Sequence, residues 1–365
     1  MNEIEFLKDL VSIKSFSTNE NKQIIEYLKN KFAPFATEIS TLTNNTDDRQ
    51  SLLIGLNTPL ANAKEAIVLS GHIDTVVADE KSYATNPYIP TIKNGKLYGL
   101  GAIDMKSFFA CILANLKVLK GKSKPIILAI TGDEETKLEG IKLITDKMKQ
   151  QNIIPKCSII GEPTNMDICL SSKSCYEYQV EIFGKGCHSS APQNGINANY
   201  IAARIVLFVE KLNMKINNTS LSCNIINGGE KVNIVSSFAK LVFDIRSPYA
   251  NFAEKAISKI KQFISRLQTK YKGCKISITK TLEIPALEKR KSKTIDKTIC
   301  QFALKEKEFR GGCEAGYLQQ VGGDAFVFGV GDLNLAHKPN EFVEIDQLKT
   351  YNQKLMQMID FLCKQ

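Results

Sequence analysis

The sequence predicts an α/β protein: a mixed, mostly parallel sheet flanked by helices, interrupted by a smaller α+β two-layer sandwich. Three observations carry this. Short apolar runs, AIVLSG at 66–71, IILAIT at 126–131 and CSIIG at 157–161, alternate with segments of helical spacing. After residue 174 the order changes to strand, helix, strand, strand, helix, strand. At 365 residues the chain exceeds the length, about 250–300 residues, at which single cores stop growing.

In chain order, helical spacing at 3–12 and 20–33 comes first, then strands at 51–56 and 66–71. The second strand is apolar along its length, as burial on both faces requires. A polar stretch at 79–95 closes on Asn94-Gly95, a strong turn signal, and a short strand follows at Lys96–Gly99. Residues 104–120 read as an apolar helix, 126–131 as a buried strand, 136–150 as a helix and 157–161 as a strand. The next six segments are 174–184, 195–213, 220–226, 236–246, 252–270 and 274–281. They form a unit of ordinary domain size. Beyond Pro285 come a helix at 292–307, the strand AFVFGV at 325–330 and a last helix at 345–363. The expected domains are therefore 1–170 with 284–365, and an insert at 171–283.

Composition narrows the class. With 43% hydrophobic and 24% charged residues the chain reads as globular. No apolar run reaches the ~18 residues of a membrane span. The first residues, MNEIEFLKDLVSIKSFS, lack the basic start, apolar middle and small-residue cleavage site of a signal peptide. A cytoplasmic protein is expected. The ten cysteines are scattered without a C-x-x-C pair, so reduced and mostly buried thiols are expected. The formal charge of +10 is spread along the chain, with no dense basic run among aromatics. Neither nucleic acid nor membrane is an expected partner.

There are three histidines, His72, His188 and His337, each in a loop-like position at a strand end or beside glycines. SGHID at 70–74 follows a buried strand, and the carboxyl ends of such strands are where open α/β sheets place ligands. An imidazole that binds a metal needs its other nitrogen held, and Asp74 can supply that contact. GAIDMK at 101–106 puts Asp104 where a glycine-rich loop becomes a helix. There a carboxylate caps the helix or bridges cations. TGDEET at 131–136 brings adjacent carboxylates to another strand end. They repel unless solvent or cations offset them. Glu162 ends a third strand, and LAHKP at 335–339 follows AFVFGVGDLN. Two imidazoles with three or four carboxylates suit two zinc-class ions.

Seven motifs in this order, SGHIDTV (70–76), LYGLGAIDMK (97–106), TGDEET (131–136), IIGEPT (159–164), GKGCHSSAPQNGINA (184–198), FDIRSP (243–248) and LNLAHKPNEF (333–342), span nearly the whole chain. The sequence resembles the dinuclear zinc M20 metallopeptidase family, and within it the acetylornithine deacetylase-like branch. The resemblance implies a zinc-exopeptidase-like catalytic domain and a ferredoxin-like insert serving as lid and homodimer interface. It implies that His72 and Glu162 hold one metal, Glu135 and His337 the other, and that Asp104 bridges them. It implies Glu134 as general base, Asp74 as the residue orienting His72, His188 as oxyanion stabiliser and Arg246 as the clamp on a substrate carboxylate. A cis peptide at Asp104–Met105 belongs to the same pattern.

Two Zn2+ are the implied cofactors, with Co2+ a substitute, and a small N-acyl amino acid is the implied substrate. GGCEAGY at 311–317 stands near the deacetylase branch's Glu-Ala-Pro-Phe, and Glu314 is suited to pair with a side-chain amine such as ornithine's. Gly316-Tyr317 in place of Pro-Phe, and Cys187 where a glycine is usual, depart from the pattern. Desuccinylases of diaminopimelate, aminoacylases and dipeptidases of the family stay open as alternatives. A non-catalytic ligand-binding protein on the same scaffold has no use for Glu134.

Overall fold

The structure is a computed structural model, and it describes residues 1–16, 21–213 and 218–365. The chain forms two compact units. One comprises Met1–Ser171, Lys289–Phe309 and Cys313–Gln365. The other comprises Ser172–Glu288 and Arg310–Gly312.

The first unit is built on an eight-stranded mixed sheet. Its strands in spatial order are Glu38–Thr43, Gln50–Gly55, Ile126–Thr131, Lys64–His72, Ile154–Ile160, Asp324–Val327, Ile168–Ser172 and Glu306–Phe309. The pairings from Ile126–Thr131 through Asp324–Val327 are parallel, and those of Gln50–Gly55 are antiparallel. The parallel strands are apolar because helices cover them, and Ile67, Leu69, Leu128, Ile130 and Ile159 lie in the core. Helices Glu3–Ser12, Lys106–Ala114 and Ile345–Lys364 contribute Leu10, Phe109, Leu355 and Ile359 to the same core. This is the expected α/β class with a mixed, mostly parallel sheet.

Several expected elements change at their ends. The helix expected at 104–120 is two helices, Lys106–Ala114 and Leu116–Lys120, with Asn115 between them donating to the Cys111 carbonyl. The helix expected at 292–307 stops at Phe302. Ala303 turns to φ 47, and a strand, Glu306–Phe309, follows. Strands Glu38–Thr43 and Ile168–Ser172 carry no clear sequence signal because they are short and partly polar. Residue 20, the first of the second expected helix, lies outside the described residues.

The second unit has a four-stranded antiparallel sheet, ordered Ser220–Gly228, Phe238–Ser247, Ser174–Phe183 and Lys275–Ile284. Helices Ala198–Asn213 and Ala250–Lys270 pack on it. Phe238–Ser247 alternates strictly: Ala239, Leu241, Phe243 and Ile245 are buried against Ile201, Ile205, Ile260 and Ile264 of the helices. All ten cysteines are free thiols. Among the described residues no helix is long and apolar enough to cross a membrane.

Candidate metal centre and active site

Three parallel strands bring their carboxyl ends to one edge. His72 ends Lys64–His72 and pairs in register with Thr131, while Ser70 pairs with Ile160. The segments after them, Gly132–Thr136 and Gly161–Glu162, therefore emerge beside His72. A Cβ at Gly71 would meet Met105 Cε at 2.0 Å, so the end of the Met105 side chain packs where a larger residue would stand. Asp104 reaches the same place from the loop before Lys106–Ala114, and Asp104–Met105 is cis. His337 follows the short 3-10 turn Leu333–Leu335.

These side chains converge. His72 Nε2 is 3.0 Å from Asp104 Oδ1 and 3.7 Å from Glu162 Oε1. His337 Nε2 is 3.2 Å from Asp104 Oδ2 and 2.8 Å from Glu135 Oε1. Two sets, His72–Asp104–Glu162 and Asp104–Glu135–His337, each keep one donor atom per residue within 4.8 Å of the others. Asp104 is common to both. A third set joins His72 with Glu134 and Glu135.

The backbone around the cluster explains its geometry. His72 Nδ1 lies 3.0 Å from the Asp74 carbonyl oxygen. Such a contact fixes the ring by holding the proton on Nδ1, and it leaves Nε2 as the atom available to a metal ion. The sequence points to the Asp74 side chain as the group that orients His72. The Asp74 carbonyl makes the closer contact, and the carboxylate instead receives the backbone N–H groups of Glu134 and Glu135, at 3.2 and 3.1 Å. The Asp74 Oδ1 atom stays 3.5 Å from His72 Nδ1. The third acid of the run, Asp133, turns away. It receives the N–H groups of Glu139 and Gly140, at 2.8 and 2.9 Å, at the start of helix Glu139–Gln150.

Glu341 is a supporting residue that the motifs do not single out. It is buried and accepts backbone N–H bonds from Gly101 at 3.1 Å, Ile103 at 2.8 Å and Asp104 at 3.3 Å. It thereby holds the Asp104 loop; its one sequence signal is an acid four residues after His337. Lys106 is a second such residue. Its buried ammonium donates to the carbonyls of Leu10 and Ile13, both at 3.0 Å, at the end of helix Glu3–Ser12. A cation suits that end of a helix.

Glu314, expected to meet a substrate amine, is corrected by the structure. The side chain is fully buried, and its two oxygens accept hydrogen bonds from the Ser70 and Thr131 hydroxyls. It ties two neighbouring strand ends together and has no face open to a ligand. Buried as it is, the carboxylate is satisfied by hydroxyls from the same edge.

Electrostatically the cluster is rich in acceptors. Burial pushes the Glu162 carboxyl well above its ordinary range, and Asp104 adds to the push. Burial also raises Glu134 strongly, with Glu135, Asp104 and Asp74 contributing against His72. Burial works to raise Asp104, but His337 and His72 hold it below the usual carboxylate range. His337 is raised to about 10, chiefly by Asp104 and Glu135. Buried carboxylates this close are costly unless cations offset them. Imidazole and carboxylate oxygens are donors that divalent ions of the zinc class accept. The residues present fit such ions.

Residues 68–360 match the model of peptidase family M20/M25/M40. The chain belongs to this family. It is a hydrolase acting on amide bonds. The M20 chain is 30% identical over 384 residues to the acetylornithine deacetylase of Buchnera aphidicola subsp. Acyrthosiphon pisum (strain Tuc7), spanning 99% of this chain and 98% of the relative. It is 28% identical over 369 residues to the acetylornithine deacetylase of Pasteurella multocida (strain Pm70), spanning 96% and 94%. Among solved structures it is similar to a tripeptidase from Staphylococcus aureus subsp. aureus Mu50, with a TM-score of 0.79, 21% identity and coverage of 100% and 98%. It is also similar to an M20 family metallo-carboxypeptidase from Sulfolobus solfataricus, with a TM-score of 0.71, 16% identity and coverage of 100% and 100%.

In the second unit of this M20 protein, His188 is exposed and follows Cys187 in the loop after strand Ser174–Phe183. Its Nδ1 accepts the Ser190 N–H at 3.2 Å and lies 2.7 Å from the Ser190 hydroxyl. A neutral ring held this way carries its proton on Nε2, so the outer nitrogen is a donor. Arg246 lies on strand Phe238–Ser247, half-buried, with Nε 3.0 Å and Nη2 2.9 Å from the Asp244 carboxylate.

Proposed function

We propose that this M20 hydrolase removes the acyl group from a small N-acyl amino acid, with N2-acetyl-L-ornithine as substrate and L-ornithine and acetate as products. The observation that carries the reading is Asp104 shared between two donor sets, with Glu134 beside them. Curated relatives at 28–30% identity along nearly the whole chain support the choice of substrate.

In this reading His72, Asp104 and Glu162 hold one zinc ion and Asp104, Glu135 and His337 the other, with cobalt a substitute. Ions of this kind acidify a water and polarise an acyl oxygen when bound. Glu134 takes a proton from the attacking water and delivers it to the departing nitrogen. Its raised proton affinity supports that role, because a carboxylate partly withdrawn from water holds a proton more firmly than an exposed one. Neighbouring Glu135 lies 2.8 Å from His337 Nε2 and serves as a ligand, so adjacent identical residues divide the work by their surroundings.

His188 donates from Nε2 to the oxyanion that forms as the carbonyl is attacked. Arg246 receives the substrate carboxylate, its guanidinium plane set by Asp244. The second unit acts as lid and as the contact surface of a homodimer, and the protein works in the cytoplasm on a small molecule.

Side-by-side hydrolysis of N-acetylornithine, N-succinyl-diaminopimelate, other N-acyl amino acids and dipeptides, with zinc or cobalt added, tests the assignment. The highest kcat/KM belongs to N-acetylornithine in this reading. A preference for a dipeptide or a succinyl substrate by about tenfold would replace it.

A further inference from the structure

We infer that Arg49 is a positioning residue for the hydrolysis: from a hairpin loop behind the site it holds the turn that carries Glu134 and Glu135. The inference rests on the proposed roles of those two glutamates. Arg49 sits in the loop between strands Glu38–Thr43 and Gln50–Gly55, far in sequence from every motif of the centre. A loop cation is ordinarily solvated, yet Arg49 is only 6% exposed.

Its guanidinium reaches both the turn and its own loop. Nη1 donates to the Thr136 hydroxyl oxygen at 2.8 Å, and Nη2 donates to Asp47. The Asp47 carboxylate also takes the Arg49 backbone N–H at 3.2 Å, which fixes the root of the side chain. Thr136 in turn donates its hydroxyl proton to the Asp133 carbonyl at 3.1 Å. The hydroxyl thus accepts on one side and donates on the other, and it closes the turn from Asp133 to Thr136. Glu134 and Glu135 lie inside that turn.

The same loop grips the turn once more, and also the helix that follows it. Asn44 Nδ2 donates to Asp133 Oδ2 at 3.0 Å, and the Thr46 hydroxyl donates to Glu139 Oε2 at 2.7 Å. On the opposite side the Asp74 carboxylate receives the Glu134 and Glu135 amides. The turn is therefore held from two directions, and Arg49 is the cationic member of the rear hold. The fork of an arginine reaches Asp47 and Thr136 together, whereas one ammonium cannot reproduce both bonds in the same plane. Small displacements of catalytic groups carry large costs in rate, so a loosened turn acts on kcat.

The test compares Arg49→Lys, which keeps the charge and the stem, with Thr136→Val, which keeps shape and removes the hydroxyl. Each variant is expected to lower kcat about tenfold or more, with KM within about twofold and zinc content unchanged. The loss of kcat in the double variant should fall short of the product of the two single losses, because both changes remove the Arg49–Thr136 bond. Hydrogen–deuterium exchange of the 132–138 segment provides a readout that needs no substrate: both single variants should exchange there faster than wild type. Unaltered exchange in that segment overturns the inference, as does a fully additive loss of kcat in the double variant. A wild-type protein that cleaves no N-acyl amino acid would refute the proposed function instead, and the exchange measurement would still decide the role of Arg49.

Discussion

Asp104 turns its Oδ2 atom toward Nε2 of His337 at a distance of 3.2 Å. Its other oxygen faces His72 at 3.0 Å. One carboxylate on one loop therefore stands between two imidazoles from opposite ends of the chain. Glu341 fixes that loop through three of its backbone N–H groups. The arrangement makes sense as a seat for two divalent ions sharing a ligand, and the expectation for Glu134 follows from it.

Glu134→Gln keeps the size of the side chain and removes its ability to carry a proton. The variant should bind zinc as wild type does and lose about 10²–10⁴-fold in kcat. Metal content by mass spectrometry and steady-state kinetics check this. A variant with near wild-type kcat would remove Glu134 from the role of base.

His188→Ala should lower kcat by about 10²–10³-fold and leave zinc content unchanged, since the proposed role of the residue is on developing charge rather than on the ions. Loss of zinc in this variant would contradict its placement outside the ligand set. Loss confined to KM would contradict its role at the oxyanion.

Glu314 sets a pH dependence of stability. Burial raises its carboxyl to about 7, although the Ser70 and Thr131 hydroxyls work the other way. The folded protein therefore holds this proton more tightly than the unfolded chain, where the group titrates near 4.5. Its contribution to stability is complete below that value and is lost as pH rises through about 7. In chelator-treated protein, Glu314→Gln should lose less Tm than wild type between about pH 5 and pH 8. Equal slopes of Tm against pH for the two proteins would contradict the raised proton affinity.

The proposed homodimer has a candidate surface. On helix Ala198–Asn213, Tyr200 and Leu207 are 68% and 55% exposed. On the edge strand Ser220–Gly228, Ile226 is 58% exposed. An edge strand beside apolar side chains invites pairing with a second copy. Light scattering should give a dimer for wild type and a monomer for Ile226→Lys combined with Leu207→Glu. A monomeric wild type would withdraw the dimer.

Much of this architecture is legible in the amino-acid order. Buried parallel strands announce themselves as continuous apolar runs, so the strands ending in His72 and Thr131 are readable, and the motifs point to the convergence of His72, Asp104, Glu135, Glu162 and His337. The motifs carry that convergence more than periodicity does, because no local pattern shows that His337 returns to Asp104. The support of the site is what the sequence hides. Asp133 looks like a third member of the acidic run, but only the fold shows its carboxylate at a helix start. Glu314 looks substrate-facing because a lone acid in a glycine-rich stretch carries no sign of its burial. Arg49 and Glu341 act through hydrogen bonds across long sequence separations, with Thr136 and with the Asp104 loop, which no spacing rule reports.

The most direct measurement is the zinc stoichiometry of the purified chain and of Asp104→Asn, by calorimetric titration after chelation. The account predicts two equivalents per wild-type chain, and loss of at least one with collapse of hydrolysis in the variant. A wild-type chain that binds no zinc, or an Asp104→Asn protein that binds two equivalents as tightly as wild type, would contradict it.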